Sequence, residues 1–219
     1  NNNIDYMDDD ISNLIEVYVR YSHFKVFEKK IDYFKEKLKK IRDQSRSKGK
    51  KAVGLSAEIL SVGFAAKDND NYEKARRLSY FFNKNTKIII LIRNQLDFLE
   101  SIYKESIRVG YNRTYEEFIN FHFKFKCSSL ITDIKYDDIY ETYIKFFKEE
   151  NILIIPYESI NSSQKQAKIT QNKNNVLTNL INKHLHIKDY QPELDNLNVK
   201  LDDKILYHKK VLNKSFKHD

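Results

Sequence analysis

Residues 87–94, Lys87-Ile88-Ile89-Ile90-Leu91-Ile92-Arg93-Asn94, decide the fold class of this chain. Five consecutive apolar residues, mostly β-branched, are typical of a strand that is covered on both faces, as in a parallel sheet between helices. Asn94 can cap a helix, and Asp97 three residues later gives a start like a capping box for a helix near 95–109. A buried strand that leads directly into a helix is the building unit of an α/β fold.

The rest of the chain repeats this alternation. Apolar runs at 52–56 and 151–156 predict two further buried strands, and four Gly and two Pro are too few for a turn-rich β sandwich. Amphipathic stretches predict the remaining helices at 11–46, 71–83, 114–125, 136–150, 176–185 and 202–214. Short strands between helices of a dozen residues indicate βαβ units, so we predict a single α/β domain over 1–219 with a central parallel sheet.

The composition restricts the class of protein. A single cysteine, Cys127, excludes an intramolecular disulfide framework and a Cys-rich zinc site, and it fits a cytoplasmic location. No apolar run reaches the roughly 18–20 residues that span a bilayer, so we expect no membrane span. His184 and His186 have no third ligand at a useful spacing, so we predict no metal site.

The charge is uneven along the chain. The net charge is +8, and residues 25–51 hold twelve Lys or Arg against four Asp or Glu. This segment is either a solvated helix face with its loop or a surface that binds a polyanionic acceptor. The net charge alone permits a nucleic acid, an anionic glycan or a phosphorylated cofactor.

Arg93 and Ser101 are the candidate anion ligands. In open parallel sheets, ligands bind at the carboxyl ends of the strands, where Arg93 is expected, and Ser101 follows about two helical turns later. An arginine fork and a hydroxyl that converge on one anion suit a phosphate. The alternative is that Arg93 pairs with a nearby carboxylate and Ser101 only packs.

The same segment resembles the 3′-phosphate-binding motif of sulfotransferases. That motif is a strand followed by Arg-Asn-Pro, with a Ser eight residues after the Arg and then a Tyr. Arg93, Asn94, Ser101 and Tyr103 match it, and Gln95 stands in place of the Pro, as it often does in bacterial members similar to glycan sulfotransferases.

Three other stretches resemble this family in the same order. Residues 54–58 (Gly-Leu-Ser-Ala-Glu) are similar to its Ser-x-Glu strand end, and residues 143–158 are similar to its late helix and Val-Leu-Pro-Tyr-Glu strand. Residues 196–201 resemble the Asn-Val-Ser-Leu stretch before its final helix. Together the similar stretches cover most of residues 53–214.

The resemblance implies a three-layer α/β/α sulfotransferase fold related to the P-loop nucleotide kinases. It also implies transfer of a sulfuryl group from 3′-phosphoadenosine 5′-phosphosulfate (PAPS) to a hydroxyl of a carbohydrate acceptor. The expected partner is a glycan or another hydroxyl acceptor, and not a nucleic acid. Arg93, Ser101, Asn198 and Lys200 would bind the nucleotide, which leaves the reaction as adenosine 3′,5′-bisphosphate.

The resemblance also implies the catalytic residues. Glu58, just past the 52–56 strand, would act as the general base or position the acceptor, and Ser56 would donate a hydrogen bond at the same place. Alternatively, Glu58 is an acid in the first turn of a helix, favoured by the helix dipole, or a partner for one of the many lysines.

One diagnostic element of the family has no match in the sequence. The family binds the 5′-phosphosulfate with a Lys-x-Gly-Thr-Thr-like loop after its first strand, whereas Ser47-Lys48-Gly49-Lys50-Lys51 precedes a strand. We therefore expect the intact protein to carry about 20–50 further N-terminal residues with a strand, this loop and a helix. The alternatives are a non-catalytic glycan- or polyanion-binding relative, or a nucleotide kinase-like enzyme, which would need a Walker-type loop.

Overall fold

A computed structural model of the protein describes residues 4–56, 69–124, 130–159, 176–187 and 210. In these residues the strands are β1 (Ile4–Tyr6), β2 (Ala52–Gly54), β3 (Ile88–Ile92) and β4 (Ile152–Pro156). The helices are α1 (Asp9–Arg20), α2 (Phe24–Glu28), α3 (Ile31–Ser47), α4 (Asn71–Phe81), α5 (Gln95–Arg108), α6 (Tyr115–Lys124), α7 (Leu130–Asp133), α8 (Tyr136–Ile144) and α9 (Val176–Leu185).

The strands pair in two parallel sheets of two strands each. β1 pairs with β2 from Ile4 opposite Ala52, and β3 pairs with β4 from Ile88 opposite Ile152 to Ile92 opposite Pro156. Helices α1 to α3 connect β1 to β2, and helices α5 to α8 connect β3 to β4, which confirms the α/β class. A single central sheet in a three-layer arrangement stays a prediction, because the described strands form two separate ladders.

The main hydrophobic core joins helices α1 to α4 and α8 to the inner face of β3. Its buried centre contains Ile15, Val19, Phe27, Phe34, Leu38, Ala75, Leu78, Phe81, Ile139, Tyr143 and Phe147. The inward side chains of β3, Ile88 and Ile90, pack against this cluster. Each fully buried large side chain contributes about 1.5–3 kcal/mol, so this cluster holds β3 in place beneath the site described below.

Helix α9 links the two sheets on their other side. Its Ile181 packs against the cluster of Ile4 and Ile187 at β1, and also against Ile155 in β4. One apolar side chain thereby contacts both ladders. The prediction of a helix at 176–185 is confirmed.

The predicted helix at 11–46 is wrong in extent, because the structure divides it into α1, α2 and α3. Arg77 of α4 donates hydrogen bonds to the carbonyl oxygens of Tyr18 at 2.8 Å and Ser22 at 2.7 Å, which then do not continue a helix. The His23 ring accepts from the Lys25 amide at 3.3 Å and starts α2. The break therefore depends on a residue more than fifty positions away.

Other predicted bounds also change. The predicted helix at 136–150 ends at Ile144, where the amide of Phe146 bonds the carbonyl of Tyr143 at 3.1 Å and tightens the chain into a turn. The strand predicted at 52–56 ends at Gly54, and β1 was not predicted. The predicted helix at 202–214 and Cys127 lie outside the described residues, apart from Lys210. No helix in the described part of the chain is long and apolar enough to cross a membrane.

Candidate functional site at the carboxyl end of β3

The junction between β3 and α5 places Arg93 at the carboxyl edge of the sheet. β3 ends at Ile92, and the Asn94 side chain caps α5 by accepting from the amides of Leu96 at 3.0 Å and Asp97 at 3.3 Å. The predicted cap is confirmed. The predicted partner of the cap is not, because the Asn94 amide donates to Glu158 and not to Asp97.

The Arg93 guanidinium is available to a ligand. Its carbon lies 5.5 Å from the centre of the Tyr157 ring, so the group rests over an aromatic face and is partly buried. Among the described residues it forms no ion pair within 4.0 Å, which argues against the alternative that Arg93 pairs with a carboxylate of this part of the chain. Its five N–H donors suit a phosphate or a sulfate.

Tyr136 at the start of α8 holds the backbone of Arg93. Its hydroxyl donates to the Arg93 carbonyl at 2.8 Å and accepts from the Arg93 amide at 3.4 Å. Burial raises the pKa of the Tyr136 phenol, against a smaller lowering by the hydrogen bond to Arg93, so the hydroxyl stays protonated and can donate at neutral pH. The Tyr136 side chain therefore fixes the backbone position from which the Arg93 side chain extends.

Glu158 connects β4 to the same junction. Its Oε1 accepts from the Asn94 amide at 2.7 Å. This hydrogen bond, followed by one from its own backbone and by the nearby Arg93 charge, holds the pKa of the Glu158 carboxyl below its usual value. The carboxylate is thus ionised at neutral pH and is engaged by the backbone, so it forms no ion pair with the guanidinium of Arg93.

Ser101 lies on α5, seven residues beyond Asn94 and about 10 Å along the helix axis. It is partly buried, and its hydroxyl makes no hydrogen bond within the part of the chain that the structure describes. Tyr103 is engaged elsewhere, because its hydroxyl donates to the Arg113 carbonyl at 3.0 Å and accepts from Lys210 at 2.7 Å. Arg93 and Ser101 therefore belong to one strand–helix unit. Within the described residues, neither the guanidinium nor the hydroxyl has a side-chain hydrogen bond.

A cleft opens beside Arg93. Phe98 of α5, Asp133 of α7 and Tyr136 of α8 line it together with the arginine, over the apolar side chains of β3. Asp133 accepts from the Asn71 amide group at 3.2 Å, which connects this wall to the start of α4. The cleft brings one cation, one carboxylate and an aromatic wall together beside the strand end.

Of the other predicted nucleotide-binding and catalytic residues, the structure describes Ser56 alone. Ser56 is exposed two residues beyond β2, and no described contact joins it to Arg93 or Ser101. Glu58, Asn198 and Lys200 lie outside the described residues. His184 contacts the Asn151 carbonyl at 3.0 Å and its pKa is lowered, first by burial and then by Lys87.

A comparison with protein families gives a similarity that includes this site. Residues 66–171 match the sulfotransferase domain. The match supports the sulfotransferase family, the α/β fold and transfer of a sulfuryl group, as the resemblance of the sequence implied. It contains β3, β4 and every residue of the junction described above. No curated protein and no solved structure matches the chain.

Three residues of the junction received no role from the sequence alone, namely Tyr136, Tyr157 and Glu158. The parallel register explains two of them, because Ile92 pairs with Pro156 and the next residues along both strands then meet. Arg93 comes to face Tyr157, and Asn94 comes to face Glu158. A prediction of which strands pair would have found both contacts.

Proposed function

We propose that the protein is a PAPS-dependent sulfotransferase that acts on a carbohydrate hydroxyl. The observation that carries the proposal is the guanidinium of Arg93 at the carboxyl end of β3, which has no ion-pair partner among the described residues and lies inside the segment that matches the sulfotransferase domain. A cation in that position suits the 3′-phosphate of the nucleotide.

The residues of the junction divide the task of binding. Arg93 would bind the 3′-phosphate by charge-assisted hydrogen bonds, and the Ser101 hydroxyl would add one more. Tyr136 and Glu158 would act through the backbone, because Tyr136 holds the amide and carbonyl of Arg93 itself and Glu158 holds the amide of the next residue, Asn94. Asn198 and Lys200 remain proposed contacts of the nucleotide.

Bound PAPS would supply the sulfuryl group. Such a transfer resembles phosphoryl transfer, in which the protein mainly positions the reactants in line and neutralises charge on the leaving phosphate. Glu58 is proposed to accept the proton of the acceptor hydroxyl, and Ser56 to donate a hydrogen bond beside it. Both residues follow β2 in the sequence, and ligands of parallel sheets bind at the carboxyl ends of the strands.

The binding step is tested by calorimetric titration of the protein with adenosine 3′,5′-bisphosphate, with AMP and ADP as controls. Arg93→Ala should weaken binding roughly tenfold or more, because a charge-assisted contact contributes on the order of 1.5–3 kcal/mol. Ser101→Ala should weaken it less. Arg108→Ala is the matched control, since Arg108 lies at the exposed end of the same helix and pairs with Glu105 at 3.2 Å. Equal affinity in wild type and a folded Arg93→Ala protein would refute the assignment.

The catalytic step needs a separate measurement. Transfer of labelled sulfate from PAPS to a panel of polysaccharides would identify the acceptor class. Binding of the bisphosphate without any transfer, with the complete gene product, would favour the non-catalytic relative instead.

A further inference from the structure

The excess of positive over negative charge in this protein is concentrated in one segment. Residues 25–51 carry twelve Lys or Arg and four Asp or Glu, an excess of eight that equals the net charge of the whole chain. The other residues are therefore balanced overall. Most of this segment is α3, with α2 before it and the connection to β2 after it.

Helix α3 arranges part of this charge in a line. Lys35, Lys39, Arg42 and Arg46 occupy positions i, i+4, i+7 and i+11, and all four side chains are exposed. At 100° per residue these positions fall within a wedge of about 60°, and they extend over about 17 Å of the helix. We call these four residues the basic row.

The basic row differs from the other cations of α3 in its contacts. Lys40 pairs with Glu36 at 2.7 Å, and Lys37 lies 5.9 Å from the centre of the Tyr33 ring. No member of the basic row forms an ion pair or a cation–π contact with any other residue that the structure describes. Four like charges about 6 Å apart repel one another, and an external anion would relieve this repulsion.

The surroundings of the row restrict the shape of the partner. Asp32 and Asp43 border it on α3, so a broad anionic surface would meet these carboxylates as well as the cations. A narrow anionic chain could follow the cations and avoid them. The row itself contains no aromatic side chain to stack nucleic acid bases and no apolar side chain to enter a lipid headgroup layer.

The geometry points to the basic row as a binding surface for a linear anionic polysaccharide. The choice of a polysaccharide rests on the proposed function, because such a polymer also carries the hydroxyl groups that a sulfotransferase modifies. Ser45 of α3 donates to the Asp5 carboxylate of β1 at 2.6 Å, and four residues lead from α3 to β2. Helix α3 packs on β2 and runs antiparallel to it, so the Lys35 end of the row faces the carboxyl edge of that sheet. Ser56 follows β2 at this edge. A long acceptor bound there would extend along α3 away from this edge.

The inference is tested with two double variants of the full chain that have the same charge change on the same helix. Lys35→Gln/Arg42→Gln removes half of the basic row, and Lys37→Gln/Lys40→Gln removes the engaged cations. Affinity for fluorescent heparin is measured at several salt concentrations without nucleotide. The row variant should lose about tenfold in affinity at about 0.1 M salt, with a shallower salt dependence, and the control variant less than about twofold.

Duplex DNA and phosphatidylserine vesicles serve as competing probes. Tighter binding of either one than of heparin would overturn the choice of partner, and equal loss in the two double variants would overturn the row itself. Because no nucleotide is present, these results are independent of Arg93. If the protein fails to bind the bisphosphate but still binds heparin, the proposed nucleotide site is wrong and the basic row stands. Loss of heparin binding by the row variant supports the inference in either case.

Discussion

The Glu158 carboxylate accepts a hydrogen bond of 2.7 Å from the backbone amide of Asn94, the residue that caps α5. This contact joins the end of β4 to the first turn of the helix that follows β3. Arg93 lies immediately before Asn94 and extends over Tyr157, the residue before Glu158. The position of Arg93, the residue proposed to bind the phosphate, therefore depends on the pairing of two strands that are sixty-four residues apart.

Tyr136→Phe should weaken the site without removing any of its charge. The substitution deletes the donor to the Arg93 carbonyl, a partly buried hydrogen bond that contributes about 0.5–1.5 kcal/mol. We expect the affinity for adenosine 3′,5′-bisphosphate to fall by about threefold or more. Tyr140→Phe is the matched control on the same helix, because its hydroxyl donates to Glu149 away from the site, and it should stay within about twofold. Equal effects of the two substitutions would contradict a positioning role for Tyr136.

Glu158→Gln should change how stability depends on pH. The pKa of Glu158 is lowered in the folded protein, chiefly by the Asn94 amide. Its ionised form therefore stabilises the fold at pH values above about 4.5, the pKa of this carboxyl in the unfolded chain. That contribution is lost as the pH falls through the folded pKa. The difference in thermal midpoint between wild type and Glu158→Gln should be largest near neutral pH and shrink below pH about 4.5. A difference that stays constant between about pH 3.5 and 7 would show that the charge of Glu158 does not contribute.

The local features of the fold could be predicted from the sequence. Asp8 accepts from the Ile11 amide at 2.8 Å and caps α1, and an Asp directly before an amphipathic stretch is typical of such a cap. Thr114 and Glu117 form a reciprocal cap of α6, with the Thr114 amide donating to Glu117 at 2.8 Å and the Glu117 amide donating to Thr114 at 3.2 Å. Such contacts span three residues, and the residue types alone specify them.

The features that the sequence did not predict depend on distant contacts. β1 has only three residues and becomes a strand by pairing with β2, about fifty residues away. Arg93 was identified as a ligand from its own strand, but Tyr136 reaches it from forty-three residues further along. A pattern of residue types along one segment carries no information about which other segment packs against it.

Arg77→Met should destabilise the helices of the main hydrophobic core. The Arg77 side chain is 3% exposed and donates to the carbonyls of Tyr18 and Ser22 and to Glu73, so it joins α4 to the end of α1. Methionine keeps the apolar stem but removes the donor to the buried side of all three acceptors. The Tyr18 carbonyl then keeps only its bond from the Ser22 hydroxyl, Glu73 keeps only Arg76, and the Ser22 carbonyl loses its side-chain donor. We expect the free energy of unfolding to fall by about 3 kcal/mol or more in urea titrations.

Arg76→Met is the matched control for this substitution. Arg76 pairs with the same Glu73 at 2.7 Å but is 30% exposed, so its loss should cost about 1 kcal/mol or less. If both variants lost the same stability, the buried contacts of Arg77 to the backbone would not be the reason for its effect.

Glu58→Gln tests the proposed general base. Glutamine keeps the shape of the side chain and cannot take a proton from a sugar hydroxyl, so turnover should fall by about 10²–10⁴-fold while the affinity for adenosine 3′,5′-bisphosphate is unchanged. Glu100→Gln is the control, since that carboxylate pairs with Lys104 at 2.9 Å on the exposed face of α5. The competing interpretation, in which Glu58 only favours the start of a helix, predicts a small loss of stability and normal turnover. Near-normal turnover of Glu58→Gln would therefore remove Glu58 from the mechanism, and the same assay on Ser56→Ala would show whether the neighbouring hydroxyl contributes.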